Sequence, residues 1–245
     1  MKDNFSSVSD SYAKFRPNYP PAIFDFLYPL LHNKACAWDC GTGNGQLAAE
    51  LAKDFIQVYA TDISQSQLDH AKQAENIHYS LQPAERTNFE ASTFDLITVA
   101  QAVHWFDFDQ FYAEVRRVSK PNGLIALLGY ELIHITPEVD KVVRHFYKEI
   151  IGEFWDPERR YLEQKYQTIP FPFRELETPE IYNIKLWHFE TLIGYLKTWS
   201  AVQHFITAKG FDPVDVIEAE LREAWGTAEV RKVSFPILFR VGRVN

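Results

Sequence analysis

Glycine is scarce in this chain, with ten residues among 245. Three of the ten, Gly41, Gly43 and Gly45, nevertheless fall within five consecutive positions. Glycine tolerates backbone conformations and close approaches that a side chain would prevent. The cluster therefore predicts a ligand held against the backbone, with a tight turn that binds nothing as the alternative.

Basic residues are also in deficit. The 25 lysines and arginines are outnumbered by 33 aspartates and glutamates, which gives a formal net charge of −8. A protein that binds nucleic acid usually carries a positive surface, although a local basic patch can override the average. The composition thus favours a small-molecule partner over nucleic acid.

Long apolar runs are missing as well. The longest, Leu124–Tyr130, is far shorter than the roughly 20 residues of a membrane span, and the first residues lack the apolar segment of a secretion signal. The two cysteines, Cys36 and Cys40, are too few to complete a zinc site and are typical of buried thiols in a reducing compartment. We expect a cytoplasmic protein, monomeric or homodimeric, without a metal and without membrane association.

Short apolar runs alternate with helical patterns through the first half of the chain, which predicts an α/β fold with a parallel sheet covered on both faces. The predicted strands are Ala35–Asp39, Ile56–Asp62, Ile77–Gln82, Asp95–Gln101 and Gly123–Tyr130. The predicted helices between them are Gln46–Phe55, Gln65–Glu75 and Phe108–Ser119.

The pattern changes after Tyr130. An amphipathic helix over Val139–Phe154 precedes a stretch rich in aromatic residues and proline, and we interpret Glu131–Pro179 as a cap inserted in a single domain of residues 1–245. The last third returns to strand and helix, with a bulge or break expected in the final strand at Pro236. The predicted elements there are a strand at Tyr182–Phe189, a helix at Glu190–Ile206, a helix starting at Asp212 and a strand at Val230–Val244.

The glycine cluster follows a predicted strand and precedes a predicted helix, where α/β sheets bind ligands. A dinucleotide fingerprint would need its third glycine where Gln46 stands, and a phosphate loop would need lysine and then serine or threonine. Asp39, two residues before the first glycine, would repel phosphate and attract an ammonium or sulfonium group.

A second acid supports a nucleoside ligand. Asp62 stands at the end of the second predicted strand, 21 residues after Gly41, a distance that suits an acid bound to ribose hydroxyls. Capping of the helix near Ser64 is the alternative role. A ribose and a cationic centre without a phosphate indicate S-adenosylmethionine.

Four stretches of the chain together carry a resemblance to a known family: Tyr12–Pro20 (YAKFRPNYP), the pair WDCGTGNGQ and ATDIS, Gln82–Asp107, and Leu196–Val202 (LKTWSAV). With these stretches the chain resembles the class I S-adenosylmethionine-dependent methyltransferases, and more narrowly their trans-aconitate methyltransferase-like small-molecule branch, with a methyltransferase type 11-like domain. The resemblance implies a Rossmann-like, doubly wound, mostly parallel seven-stranded sheet whose last strand is antiparallel.

The resemblance also implies cofactor-binding roles. The three glycines and Asp39 would hold the amino-acid end of the cofactor, and Asp62 with Ile63 the ribose. Pro83 stands where many members have an aspartate before the adenine-binding pair. The remaining implied contacts are Ala84 and Glu85 at the adenine, Gln101 beneath the methionine, and Tyr12 and Arg16 over the carboxylate.

Methyl transfer from a sulfonium requires alignment of the acceptor and exclusion of water. A carboxylate acceptor needs no base at neutral pH, whereas a phenol, alcohol or amine benefits from one. His104 is the candidate catalytic residue, either as a base or as a positioning group. The side chains predicted to contact the acceptor are Trp105, Trp155, Arg159 and Trp199.

The sequence thus predicts methyl transfer to a small organic acceptor, with a carboxylic acid as the preferred acceptor. Three alternatives stay open: N- or O-methylation of another small molecule, cofactor binding without turnover, and a nicotinamide-dependent oxidoreductase, which the glycine spacing disfavours.

Overall fold

The computed structural model describes Phe15 and residues 17–244. Within these residues, eight strands form one sheet in the order β3-β2-β1-β4-β5-β8-β6, with β7 also paired to β8. The strands are β1 (Cys36–Cys40), β2 (Gln57–Asp62), β3 (Ile77–Leu81), β4 (Phe94–Ala100), β5 (Ser119–Tyr130), β6 (Arg174–Leu176), β7 (Tyr182–Trp187) and β8 (Arg231–Arg243).

Helices cover the sheet and connect its strands, as the alternating pattern predicts. In the described part of the chain they are α1 (Pro21–Leu27), α2 (Gln46–Leu51), α3 (Gln65–Asp69), α4 (Phe108–Val118), α5 (Pro137–His145), α6 (Arg160–Glu163), α7 (Phe189–Lys197), α8 (Ser200–Lys209) and α9 (Val214–Trp225). The α/β, Rossmann-like fold is therefore confirmed.

The first five strands are parallel neighbours, and β8 is antiparallel to β5. The register pairs Cys40 with Thr61 of β2 and with Val99 of β4. The carboxyl ends of these three strands therefore meet at one edge, where doubly wound sheets bind their ligands.

The sheet has one strand more than the predicted seven. The additional strand, β6, pairs with β8 and lies inside the segment interpreted as a cap. With three residues, two of them charged and exposed, it carries too short a pattern to be recognised from sequence. The bulge or break predicted at Pro236 is not found, because β8 runs through this residue without a register shift. Instead β8 changes partner here, from β7 at Pro236 to β5 at Ile237.

Two long predicted helices are divided. Val139–Phe154 becomes α5, a π-helical turn at Phe146–Ile150 and a short 3₁₀ turn at Gly152–Phe154. Glu190–Ile206 becomes α7 and α8, because the Thr198 hydroxyl donates to the Tyr195 carbonyl and Trp199 is extended. The predicted helix Gln65–Glu75 ends early, at Asp69.

The segment Glu131–Pro179 packs against the rest of the chain through two apolar clusters. Val139, Val142 and Phe146 share a cluster with residues of α7 and α8. Leu162 and Tyr166 share another with Ile125 and Leu127 of β5 and with the turn that follows β4. The segment therefore meets the sheet close to the carboxyl end of β4.

Candidate functional site

The glycine cluster forms the loop between β1 and α2, and all three glycines have positive φ, at 68°, 55° and 73°. A Cβ atom at Gly41 would lie 2.6 Å from Ala102 Cβ, and one at Gly45 would lie 2.1 Å from the Tyr79 hydroxyl. A Cβ at Gly43 would meet Gln67 Oε1 at an ordinary 3.7 Å. Packing thus requires the outer two glycines, whereas the middle one lines a more open space.

Asp39 organises this loop from inside the protein. Its buried carboxylate accepts hydrogen bonds from Thr42 Oγ1 at 2.6 Å, Thr98 Oγ1 at 2.9 Å and Ala48 N at 3.1 Å. Burial raises the pKa of Asp39 to about 6, although these three hydrogen bonds lower it. The carboxylate joins β1 to the loop, to the start of α2 and to β4.

Asp62 lies beside the loop, at the carboxyl end of β2. Its two oxygens accept from Gly43 N at 2.8 Å and from Ser64 N at 2.9 Å. The cap of α3 is the Ser64 side chain, which accepts from Gln67 N. Asp62 therefore stands next to the middle glycine, and Ile63, which follows it, is half-buried.

Ala84 and Glu85 occupy the loop between β3 and β4. Ala84 is buried in the apolar cluster that includes Trp38 and Phe106. Glu85 Oε1 accepts from Asp107 N at 3.1 Å, so this carboxylate also joins the loop to the start of α4. The loop lies against the turn that follows β4.

Gln101, directly after β4, combines backbone strain with an unsatisfied donor. Its φ is 57°, a left-handed conformation that residues other than glycine rarely adopt. Its side-chain Nε2 is buried and has no hydrogen-bond partner within the described residues. Strain and unpaired buried donors concentrate at ligand sites, and the next residue, Ala102, touches the glycine loop.

His104 lies in the 3₁₀ turn Val103–Trp105 that follows β4. It is 5% exposed, and its Nδ1 lies 3.3 Å from the Tyr166 hydroxyl. Burial, and secondarily the positive charge of Arg159, lower the pKa of His104 to about 3. The imidazole is therefore neutral at neutral pH.

Arg159 faces this turn from the segment Glu131–Pro179. Its guanidinium carbon lies 4.6 Å from the ring centroid of Trp155 and 5.4 Å from that of Tyr147. Arg159 Nε donates to the Tyr147 hydroxyl at 2.9 Å, and this hydroxyl donates to Glu163 Oε1 at 2.7 Å. The two terminal guanidinium nitrogens make no hydrogen bond to any described residue.

Tyr147 and Glu163 were not among the predicted site residues. Tyr147 belongs to the π-helical turn, a feature common at functional sites. Its backbone carbonyl accepts from Trp155 Nε1 at 3.1 Å. The apolar periodicity around Tyr147 is that of an ordinary buried helix face, so no sequence signal distinguishes its hydroxyl.

The other predicted tryptophans differ in their surroundings. The Trp105 ring lies 4.9 Å from the His104 ring, and its buried indole N–H has no partner in the part of the chain that the structure describes. Trp199 is only 3% exposed and packs within the apolar cluster of α7 and α8. It reaches the site through its contacts with the rings of Tyr147 and Trp155.

Tyr12 and Arg16, predicted over the cofactor carboxylate, lie outside the described residues. Among the residues that are described, no group of three or more His, Cys, Asp or Glu side chains is arranged to hold a metal ion. Over the same residues, no helix is both long and apolar enough to cross a membrane.

In a comparison with protein families, a family described as a methyltransferase domain matches residues 38–127. This range contains the glycine loop, Asp62, the loop after β3 and the His104 turn. The proposed cofactor-binding residues from Asp39 to Gln101 and the His104 turn are therefore inside the matched region, whereas Arg159 is outside it.

Two curated relatives extend the likeness. A protein of Dictyostelium discoideum named as a methyltransferase is 34% identical over 243 residues, which cover 96% of this chain and 92% of the relative. An uncharacterised methyltransferase of Mycobacterium tuberculosis is 31% identical over 182 residues, covering 74% of this chain and 70% of the relative.

A solved structure is similar over nearly the whole chain. It is described as a type II methyltransferase from Anaeromyxobacter dehalogenans and shares 41% sequence identity, with a TM-score of 0.87. The match covers 94% of this chain and 98% of the other. The likeness therefore includes the segment Glu131–Pro179 as well as the glycine loop.

Proposed function

Because the chain belongs to the class I S-adenosylmethionine-dependent methyltransferases, we propose that it methylates a small carboxylic acid. The observation that carries the choice of acceptor is Arg159, whose guanidinium is held beside the His104 turn. The proposed product is a methyl ester.

The residues around the glycine loop fit the cofactor. The space at Gly43 admits close approach of a ligand to the backbone, and Asp62 stands beside it as the acceptor for ribose hydroxyls. Ala84 and Glu85 would edge the adenine, and the unpaired Nε2 of Gln101 would donate to the amino-acid end. When bound, the cofactor supplies a methyl group activated by its sulfonium.

Arg159 would bind the acceptor. A guanidinium fork suits a carboxylate, with two parallel hydrogen bonds of defined direction. Tyr147 and Trp155 hold the plane of the guanidinium, and the Tyr147 hydroxyl fixes Nε. The hydrogen bond that Arg159 makes to a described residue uses Nε, so within that part of the chain its terminal nitrogens are available to an anion.

His104 would position the acceptor. With a pKa near 3 the imidazole is neutral but a weak base, so it is poorly suited to deprotonate an amine or a phenol at pH 7. An ionised carboxylate has no proton to remove. A carboxylate acceptor therefore needs no base at His104, and it is also the acceptor that the Arg159 guanidinium favours.

In-line transfer then requires only alignment and the exclusion of water. Trp105 and Trp155 are the side chains placed to form the walls, and the buried Trp105 N–H can donate to an acceptor oxygen. Trp199 supports Trp155 from the core of the segment. The segment Glu131–Pro179 acts as the cap in this proposal.

The test is turnover on a panel of small carboxylic acids, each paired with its neutral amide, together with amines and phenols. We expect methyl transfer to acids and not to their amides, with a product that is cleaved by mild base as an ester is. Turnover only on amines or phenols would show that the reaction is N-methylation or phenol O-methylation and not ester formation. Cofactor binding without turnover on any acceptor would contradict the proposal.

A further inference from the structure

We propose that Glu114 and Arg117 of α4 are positioning residues that hold the loop between β3 and β4 and thereby set selectivity for the adenine base. The loop carries Ala84 and Glu85, so the inference rests on the adenine-binding role assigned to them under the proposed function. Neither Glu114 nor Arg117 belongs to the site described so far.

Glu114 holds the loop at Thr87. One carboxylate oxygen, Oε1, accepts from Thr87 N at 2.8 Å and from Thr87 Oγ1 at 2.5 Å. The Glu114 side chain is only 7% exposed, and a buried carboxylate on a surface helix is unusual without such partners.

Arg117, one turn further along α4, completes the arrangement. Its Nε and Nη2 form a fork on the two Glu114 oxygens, at 2.8 Å and 2.6 Å. Its Nη1 donates to the Phe89 carbonyl at 2.7 Å. Burial alone would raise the pKa of Glu114, but the hydrogen bonds from Arg117 and Thr87 outweigh it and hold the pKa below its usual value.

The loop has no helix or strand between Gln82 and Thr93, so its shape depends on such contacts. Glu85 gives one more, because its Oε1 accepts from the backbone of Asp107, the residue that caps α4. Helix α4 therefore contacts the loop at Glu85, Thr87 and Phe89, three alternate positions just after Ala84.

Helix α4 also begins at Phe108, three positions after the end of the turn that carries His104. One rigid element thus fixes the adenine loop relative to the site of methyl transfer. Glu114 and Arg117 act through the loop backbone and do not need to touch the cofactor. Loosening them should weaken contacts made by the base while leaving contacts to the amino-acid end unchanged.

The experiment is calorimetric titration with S-adenosylhomocysteine and with S-inosylhomocysteine, which differ at the six-position of the base. We expect Glu114→Gln to weaken S-adenosylhomocysteine binding about tenfold and to reduce the preference over the inosine analogue. Arg117→Lys, which keeps the charge but loses the fork, should give a smaller change in the same direction. Thermal melts establish that each variant is folded.

The matched control is Glu218→Gln on α9, which removes a helical glutamate–arginine pair with Arg222 that lies on the surface. It should leave both affinities unchanged. The inference would be overturned if Arg117→Lys and a folded Glu114→Gln both keep the parent's preference for S-adenosylhomocysteine over the inosine analogue. It would also be overturned if the variants bind both ligands more weakly by the same factor. If Glu114→Gln does not fold, the result for Arg117→Lys decides. A parent protein that binds neither ligand would contradict the proposed function itself.

Discussion

Asp62 connects the glycine loop to helix α3, because its two carboxylate oxygens receive hydrogen bonds from the Gly43 and Ser64 backbones. Both donors belong to segments that surround the proposed ribose position. The Asp62 side chain therefore shapes the loop and would also bind the ribose. Loss of either role should weaken the binding of the cofactor.

We expect Asp62→Ala to weaken binding of S-adenosylhomocysteine about 100-fold, since two charge-assisted hydrogen bonds to ribose are together worth roughly 3 kcal/mol. Calorimetry on the folded variant measures this. Asp69→Ala is the control, because Asp69 is an exposed aspartate at the end of α3 that accepts a local hydrogen bond from Gln65. Parent-like affinity in Asp62→Ala would show that the ribose assignment is wrong.

At His104 the expected result is a small effect. His104→Gln should lower turnover less than tenfold and leave the pH profile unchanged between about pH 6 and 8, because a group with a pKa near 3 does not titrate there. A 100-fold loss together with the disappearance of an inflection on the acidic limb of the pH–rate profile would instead indicate a general base.

The low pKa of His104 also has a consequence for stability. The folded state binds fewer protons than the unfolded state between about pH 3 and 6.5, so His104 contributes stability above pH 6.5 that is lost as the pH falls toward 3. Denaturant melts should show the parent losing more stability than His104→Gln between pH 7 and 4. The exposed His32, changed to Gln, is the control and should behave as the parent does.

At the scale of elements, the glycines of the loop between β1 and α2 differ in the space around them. Gly41 and Gly45 are required because Ala102 and Tyr79 occupy the space of a side chain, whereas Gly43 has room for one. Only at Gly43 can the effect on a ligand be separated from the effect on packing.

Gly43→Ala should therefore preserve the fold and weaken cofactor binding at least tenfold, because the added methyl occupies the space proposed for the ligand. Gly210→Ala is a matched control: Gly210 has a φ of 81° and no atom within 4 Å of its Cβ position, so it carries similar backbone strain away from the site. If both variants bind the cofactor like the parent, the loop is a turn without a ligand.

The elements also show how far the sequence determines the fold. The parallel strands were predicted to within a few residues because buried strands appear as continuous apolar runs. The division between α7 and α8 was missed, since it depends on one hydroxyl bond within an otherwise helical pattern. The glycine loop and Asp62 were predicted from spacing, but the contact of Glu114 with Thr87 joins residues 27 positions apart and has no local signature.

At the scale of the whole molecule, the proposed acceptor site exists only because the segment Glu131–Pro179 packs against the sheet. Arg240 of β8 is a main connection. Its Nη1 donates to the carbonyls of Tyr166 and Ile169, and its Nε and Nη2 form a fork on Glu175. Tyr166 in turn places its hydroxyl at His104.

We expect Arg240→Gln to raise the KM for the acceptor about tenfold while the affinity for S-adenosylhomocysteine stays within twofold, because the glycine loop makes no use of this connection. Arg243→Gln is the control on the same strand, because the Arg243 side chain donates to the carbonyls of Leu30 and Asn122, which both lie outside the segment. A change in cofactor affinity equal to the change in KM would mean that the two sites are not separable in this way.

The role of Arg159 in acceptor binding is tested most directly by the ratio of kcat/KM for the best carboxylic acid between the parent and Arg159→Gln. The neighbouring Arg160→Gln is the control. Arg160 is exposed and contacts Tyr161. We predict a loss of about 100-fold at Arg159, the value of a charge-assisted fork on a carboxylate, and a change of less than twofold at Arg160. Equal activity in Arg159→Gln and the parent would contradict the central claim that this arginine binds the acceptor.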